Sequence, residues 1–255
     1  MSVAGKHALV TGGARGIGFG IAALLARNGA RVSVVSRSVP EGSAGEEARF
    51  TSAQADVADE AAVRAAFARC CQVNGPVDIL VNNAGIAESA PLKRTDRAMW
   101  DRIIATNLTG TFLCSREAVP GMVAAGWGRI VNIASTAGLA GAAYVAAYCA
   151  SKHGVVGFTR AIAAELASTG VTANAICPGY TETEMMARSV RNITMLTNRS
   201  EEEARRLMAR ASPGGRIAAV DEVACGVLEL INGDATGLAV VIPGGYAVPA
   251  PSFES

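Results

Sequence analysis

The stretch TGGARGIG, Thr11–Gly18, decides how this chain is read. It follows the strand-like run His7–Thr11 and opens an alanine- and leucine-rich helical segment near Ile17–Asn28. Strand, glycine turn and helix in that order begin a β-α-β unit. Gly12, Gly16 and Gly18 stand in a GxxxGxG spacing. Glycines at such positions permit a tight turn and let a pyrophosphate approach the backbone at a helix N-terminus. A lone glycine turn is weak; its place after the first strand gives it weight.

The rest of the chain repeats the rhythm. Further strand-like runs lie at Arg31–Ser36, Phe50–Gln54, Ile79–Asn82, Arg129–Ala134, Val171–Ile176 and Leu238–Ile242. Helical segments lie between them near Glu60–Val73, Asp96–Ala125, Val145–Ser168 and Asp221–Ile231. Alternation of nearly continuous apolar strands with helices predicts an α/β fold. Its parallel sheet of about seven strands is doubly wound, with helices on both faces. There is no linker, repeat or low-complexity segment, so residues 1–255 are read as a single domain.

Composition narrows the function. Among 255 residues, half are hydrophobic, 28 are Gly and 5% are aromatic, as suits a compact α/β protein with close helix packing. The formal net charge of +1 gives no global field for nucleic acid or an acidic membrane. No apolar stretch approaches the ~20 residues that span a bilayer. MSVAGKHALVTGG runs straight into a strand, as expected of a chain with no signal peptide. Cys70, Cys71, Cys114, Cys149, Cys177 and Cys225 form no CxxC, and only His7 and His153 could assist them. No metal site is expected, and scattered thiols suit a reduced, cytoplasmic protein.

The end of the second strand bears on the choice of dinucleotide. A carboxylate about 20 residues past the glycine turn would accept from the adenosine ribose hydroxyls. Here the chain reads VVSRS, with Ser36 and Arg37 and no acid until Glu41. Serine and arginine can bind a 2′-phosphate that a carboxylate would repel, and Arg15 in the turn can approach the same group. The expected cofactor is therefore NADPH rather than NADH; two exposed arginines without a ligand are the plain alternative. Asp56, beside Val57 in QADV, is placed to accept from an adenine amino group or to cap the following helix. NNAG, Asn82–Gly85, offers small residues for close approach and amides that can tie neighbouring strand ends together.

Tyr148 and Lys152 in YCASK stand four residues apart, so a helix puts both on one face. Free tyrosine has a pKa near ~10, and an adjacent ammonium lowers it. Tyr144 has no lysine four residues on and His153 points away from the Lys152 face, so neither is given a role in chemistry.

TGGARGIG, NNAG, Ser135 at a strand end and YCASK thirteen residues later together resemble the short-chain dehydrogenase/reductase family. The resemblance runs from Lys6 to about Gly245 and implies a Rossmann-like domain. Within the family the chain is most similar to the 3-oxoacyl-thioester (acyl-carrier-protein or CoA) reductases. The resemblance implies that Tyr148 donates a proton to the carbonyl oxygen and that Lys152 tunes Tyr148 and holds the nicotinamide ribose. It implies that Ser135 positions the carbonyl and that Asn107, in TNLTG, holds a relay water. It further implies cofactor contacts at Gly12, Arg15, Gly16, Ile17, Gly18 and Ser36, and at Arg37, Asp56 and Val57. Others are implied at Asn83, Ala84 and Gly85, at Tyr148 and Lys152, and at Pro178, Gly179 and Thr181. Ser135 as a turn cap and Asn107 as a polar residue in a helix break are the plainer readings. The family implies a homo-oligomer, tetramer or dimer. VIPGGY departs from the family's usual ending, with Pro243 in place of an acid.

One interval breaks the rhythm. Residues 181–216 leave a strand without returning to the sheet, and are expected to form a helical substrate lid or an ordinary helical hairpin. Residues 185–216 carry seven arginines against Glu201, Glu202 and Glu203. Such a lid can attract CoA or an acidic acyl-carrier protein. It can equally be a solvated helix with pairs such as Glu201–Arg205 and Glu202–Arg206. Met185, Met186, Met195 and Met208 can form an adaptable wall or the lid's own core. The expected activity is NADPH-dependent reduction of a 3-oxoacyl thioester. The alternative is a secondary-alcohol dehydrogenase for a small cyclic, aromatic or sugar-like alcohol. A catalytically silent nucleotide-binding regulator is disfavoured, because Asn107, Ser135, Tyr148 and Lys152 are all present.

Overall fold

The computed structural model describes residues 3–38, 50–243 and 247–248. Glu41, Gly245 and most of the C-terminal tail lie outside the described residues.

The order of elements follows the sequence pattern. It begins β1 (His7–Thr11), α1 (Gly16–Arg27), β2 (Arg31–Ser36), β3 (Thr51–Gln54), α2 (Glu60–Asn74) and β4 (Ile79–Asn82). It continues α3 (Arg97–Ile104), α4 (Gly110–Ala124), β5 (Gly128–Ile133), α5 (Ala146–Glu165) and β6 (Val171–Pro178). It closes with α6 (Glu184–Thr197), α7 (Glu201–Ala211), α8 (Val220–Asn232), β7 (Ala239–Ile242) and β8 (Ala247–Val248). The sheet order is β3-β2-β1-β4-β5-β6-β7-β8. The first seven strands are parallel and β8 runs antiparallel to β7. The antiparallel β8 is an addition to the seven expected strands.

The strands read as apolar runs because both faces are covered. On β1, Leu9 joins a core with Phe67 of α2 and Leu113 of α4. Its neighbours Ala8 and Val10 join the opposite core with Ile21 of α1 and Val223 of α8. This is the two-residue period of a strand between two helical layers. The chain reverses its winding direction between β1 and β4, which are paired through Val10 and Val81. Open α/β sheets bind ligands in the crevice at that point.

Two expected elements are subdivided. The single segment Asp96–Ala125 is α3 and α4 joined by a π-type turn, Ala105–Thr109, with Asn107 in its middle. Residues 181–216 fold into a hairpin of α6 and α7. Thr183 caps α6, Asn198 ends it in the left-handed region at φ 54°, and a Ser200–Glu203 capping box starts α7. Met186 and Val190 pack on Ala204 and Met208, giving the hairpin its own small core. Its base touches the sheet region through a parallel bridge from Thr181 to Ala218. Among the described residues no helix is long and apolar enough to cross a membrane.

Candidate active site

The glycine turn is built for close approach. Gly12 has φ +65°, and a Cβ there would lie 2.9 Å from the Ala84 Cα. A Cβ on Gly18 would lie 2.4 Å from Asn83 Nδ2 and 2.5 Å from the Gly12 carbonyl oxygen. Gly18 therefore packs helix against strand and does not line the cleft. The turn is bolted to β4: Thr11 Oγ1 accepts from the backbone N–H groups of Asn83 and Ala84, each at 3.0 Å. Asn83 Nδ2 donates back to the Thr11 carbonyl at 2.9 Å. The first turn of α1 has no acidic residue and its N-cap, Arg15, makes no side-chain cap. Its amides and the positive end of its dipole are thus available to an anion.

These residues border a cleft of about 810 Å³ along the C-terminal ends of β1–β4. Its wall includes the expected Gly12, Arg15, Gly16 and Ile17, then Ser36 and Arg37, then Asp56 and Val57, and finally Asn83, Ala84 and Gly85. Pro178, Gly179 and Thr181 are not on its wall. Asp56 accepts from Ala58 N at 3.0 Å, and it is Asp59, not Asp56, that caps α2 by accepting from Ala62 N. That removes the capping alternative for Asp56. Arg15 does not stand free: its Nη1 lies 3.1 Å from Glu184 Oε2 across the cleft mouth, with both side chains largely exposed.

The second cluster lies at the inner end of the cleft, behind Gly85. A Cβ on Gly85 would come within 3.3 Å of Asn107 Oδ1 and 3.7 Å of Lys152 Nζ. Asn107 is 1% exposed, and its side chain makes three hydrogen bonds. Its Oδ1 accepts from Ile86 N at 2.8 Å, and its Nδ2 donates to Ile86 O at 2.9 Å and Ser151 Oγ at 3.0 Å. These bonds explain why a π-type turn interrupts the expected helix there. The helix-break reading and a place beside Lys152 both hold for this residue. Ser151 in turn donates to the Tyr148 carbonyl at 2.7 Å. Ser151 sits inside YCASK, yet its bridging role was not legible from the motif.

Lys152 is 5% exposed and its Nζ donates to the Ile133 carbonyl at 2.7 Å. The ammonium lies 5.7 Å from the Tyr148 ring centroid. Burial pushes the Lys152 pKa down to about 8, while its coulombic interaction with Cys177 works in the raising direction. Tyr148 keeps part of its surface open, but burial pushes its phenol up, opposed by a hydrogen-bond contribution from Ser135. The net direction for Tyr148 is upward: desolvation dominates both groups here, because each loses water and the lysine's bond goes to a backbone carbonyl. The phenol is therefore protonated at neutral pH. Ser135 is extended at the end of β5 and its Oγ accepts from Ala137 N at 3.1 Å, the turn-capping bond of its plainer reading. His153 is exposed, with Nδ1 2.9 Å from the Cys149 carbonyl oxygen. Tyr144 is 66% exposed with φ +67°.

The lid residues separate by face. Met186 and Met208 are lid core, whereas Met185 and Met195 face the cleft, so the two readings of the methionines each hold for one pair. Of the two expected pairs, Glu202–Arg206 forms. Arg205 instead pairs with Glu182, because tertiary packing brings that carboxylate closer than Glu201. Thr183, Ser189 and Asn192 are cleft residues that the sequence did not single out.

A glycine-lined cleft where a parallel sheet reverses its winding, with a buried lysine behind its Gly85 edge, marks the chain as a nucleotide-binding protein of the open α/β class. Residues 6–194 match the model of the short chain dehydrogenase family, and the chain belongs to that family. It is 42% identical over 226 residues to a D-beta-hydroxybutyrate dehydrogenase of Cupriavidus necator, covering 86% of this chain and 88% of that one. It is 42% identical over 240 residues to a putative ketoacyl reductase of granaticin polyketide synthesis in Streptomyces violaceoruber, covering 91% and 88%. A solved structure of an actinorhodin polyketide ketoreductase variant with NADPH superposes with a TM-score of 0.86 at 37% identity, covering 94% of this chain and 96% of that one.

Proposed function

We propose that the protein is an NADPH-dependent carbonyl reductase whose substrate is a 3-oxoacyl thioester. The observation that carries the chemistry is the Tyr148–Lys152 pair on one face of α5, with the ammonium buried and pinned to β5 at the end of the cleft. The similarity to ketoacyl reductases supports the thioester form. Ser36 and Arg37 on the cleft wall support NADPH, since neither would repel a 2′-phosphate.

The cleft fits a dinucleotide: Gly12 and Gly16 at positive φ, the uncapped α1 amides and Arg15 would hold the phosphates. When bound, the nicotinamide supplies the hydride. The protein's own residues do the rest. Ser135 orients the carbonyl oxygen, and Tyr148, held protonated by burial, delivers a proton to that oxygen as its carbon is reduced. Lys152 holds the ribose and stabilises the developing phenolate through its charge. Asn107 fixes the start of α5 to the Ile86 backbone and so sets the distance between Gly85 and Lys152. Asp56 and Val57 on the wall would meet the adenine, and the family resemblance assigns Pro178, Gly179 and Thr181, off that wall, to the nicotinamide side.

Oxidation of NADPH and of NADH over a panel of β-keto thioesters, diketones and cyclic ketones tests this reading. Preference for a cyclic ketone would favour the secondary-alcohol dehydrogenase alternative. Tyr148→Phe should lower turnover by about 10²–10⁴-fold with cofactor binding retained; full activity in that variant would sink the mechanism.

A further inference from the structure

The lid's positive charge is not spread evenly, and its distribution points to a ligand. Among the described residues Arg205, Arg206 and Arg216 are neutralised by Glu182, Glu202 and Glu222. Arg199, Arg206 and Arg210 border a separate shallow hollow on α7. Arg188 and Arg191 differ from all of these. Both lie on α6, both are exposed, both border the 810 Å³ cleft, and among the described residues neither makes an ion pair. Among the described residues the cleft's carboxylates do not answer them: Glu184 pairs with Arg15, Glu88 with Arg102, and Asp56 accepts from the Ala58 N–H.

The helix cannot simply roll to turn these guanidiniums away. Its other face is fixed by Met186 and Val190 against α7. Residues three apart on a helix are neighbours, so Arg188 and Arg191 form one cationic patch, with Ser189 and Asn192 on the same cleft wall. Two guanidiniums side by side repel, and an anion with several oxygens relieves that repulsion through charge-assisted bonds. Met185 and Met195 flank the patch on the same wall. They supply soft apolar surface for a flexible chain leading to the anion.

We infer that Arg188 and Arg191 form an anion subsite that holds a negatively charged group on the substrate, remote from its reacting carbonyl. This rests on the reductase reading and sharpens it: the substrate is a ketone bearing a phosphate or carboxylate, not a neutral one. It also separates the lid's selectivity from the Tyr148–Lys152 chemistry.

The test uses matched charged and neutral ketones: acetoacetyl-CoA with acetoacetyl-pantetheine, and acetoacetate with methyl acetoacetate. The native protein should favour the charged member of at least one pair by tenfold or more in kcat/KM. The pair that shows it separates a phosphate from a carboxylate. In the Arg188→Gln/Arg191→Gln double variant that ratio should collapse toward one, through KM rather than kcat, and Arg188→Lys/Arg191→Lys should restore most of it. An indifferent native protein overturns the subsite. So does an equal loss on charged and neutral ketones, or an effect confined to the KM for NADPH. If no ketone is turned over, the reductase reading fails on its own. Calorimetric titration of CoA against pantetheine, with NADP+ saturating, then decides the subsite. A CoA preference of tenfold that the double glutamine variant abolishes sustains it, and equal affinities overturn it.

Discussion

Lys152 Nζ donates to the carbonyl of Ile133 rather than to Tyr148, so the ammonium is anchored on β5 before any ligand arrives. The bond fixes where the charge sits, and burial sets what it costs. The folded pKa of about 8 lies below the ordinary 10.5, so the unfolded chain binds the proton more tightly. This group's contribution to stability is then complete above pH 10.5 and is lost as pH falls toward 8. At neutral pH the charge is a burden on the fold, kept for chemistry.

Lys152→Met should therefore abolish turnover and yet raise the melting temperature at pH 7 by roughly 2–6 °C, as replacing a buried charge by an apolar side chain of similar length often does. Differential scanning fluorimetry at pH 7 and pH 10 checks it, and the gain should shrink at the higher pH. A lower melting temperature would mean that the bond to Ile133 outweighs the desolvation.

Arg37→Asp should raise the KM for NADPH by tenfold or more and improve the use of NADH, because a carboxylate repels a 2′-phosphate and accepts from ribose hydroxyls. Glu184→Gln should act the other way and more weakly. It frees Arg15 from an exposed pair worth about 0–1 kcal/mol, so the KM for NADPH should fall by at most about fivefold. Equal use of both cofactors by the native protein would show that Ser36 and Arg37 do not select.

Gly18→Ala places a methyl group 2.4 Å from Asn83 Nδ2 and 2.5 Å from the Gly12 carbonyl oxygen. Neither can give way, since Asn83 ties the turn to β1. A loss of about 1–3 kcal/mol in chemical denaturation is expected, with weaker NADPH binding. Gly141→Ala, where a Cβ meets nothing within 4 Å, serves as the control and should leave stability nearly unchanged.

His7 is fully buried, with Nδ1 at 2.7 Å from the Gly75 carbonyl and Nε2 at 2.8 Å from Ser33 Oγ. Burial pushes its pKa below 6.5, and Arg31 adds to this while Asp78 opposes it. A depressed histidine favours the folded state above pH 6.5 and withdraws that support as pH falls toward the folded value. Urea midpoints should drop between pH 7.5 and pH 5.5, and the drop should be smaller in His7→Gln. Identical slopes would assign the acid sensitivity to other groups.

Much of this architecture was legible because it is periodic. Apolar runs of four to eight residues gave β1, β2 and β4 with their observed ends. Elsewhere pairing extended or trimmed the ends: β6 runs on to Pro178 because Pro178 pairs with Ile242, and Phe50 falls outside β3. A helix break at Asn107 could be read, but not its π-type form, since that form's cause is a bond to Ile86, twenty-one residues away. The polar chain from Ser115 through Asn82 and Asn132 to Thr159 was also missed. Each member reads alone as an ordinary strand or helix residue, and only strand order brings them together.

The amino-acid sequence by itself determined the alternation of strands and helices, the glycine turn and the shared face of Tyr148 and Lys152. All three depend on near neighbours in the chain, where spacing alone dictates geometry. The tertiary structure alone decided which charges distant in the chain meet. Arg15 faces Glu184 across 169 residues of chain, Arg205 takes Glu182 over its helical neighbour Glu201, and Arg188 and Arg191 face the cleft with no ion pair among the described residues. Such pairings follow from how helices pack on the sheet, and no local pattern records them.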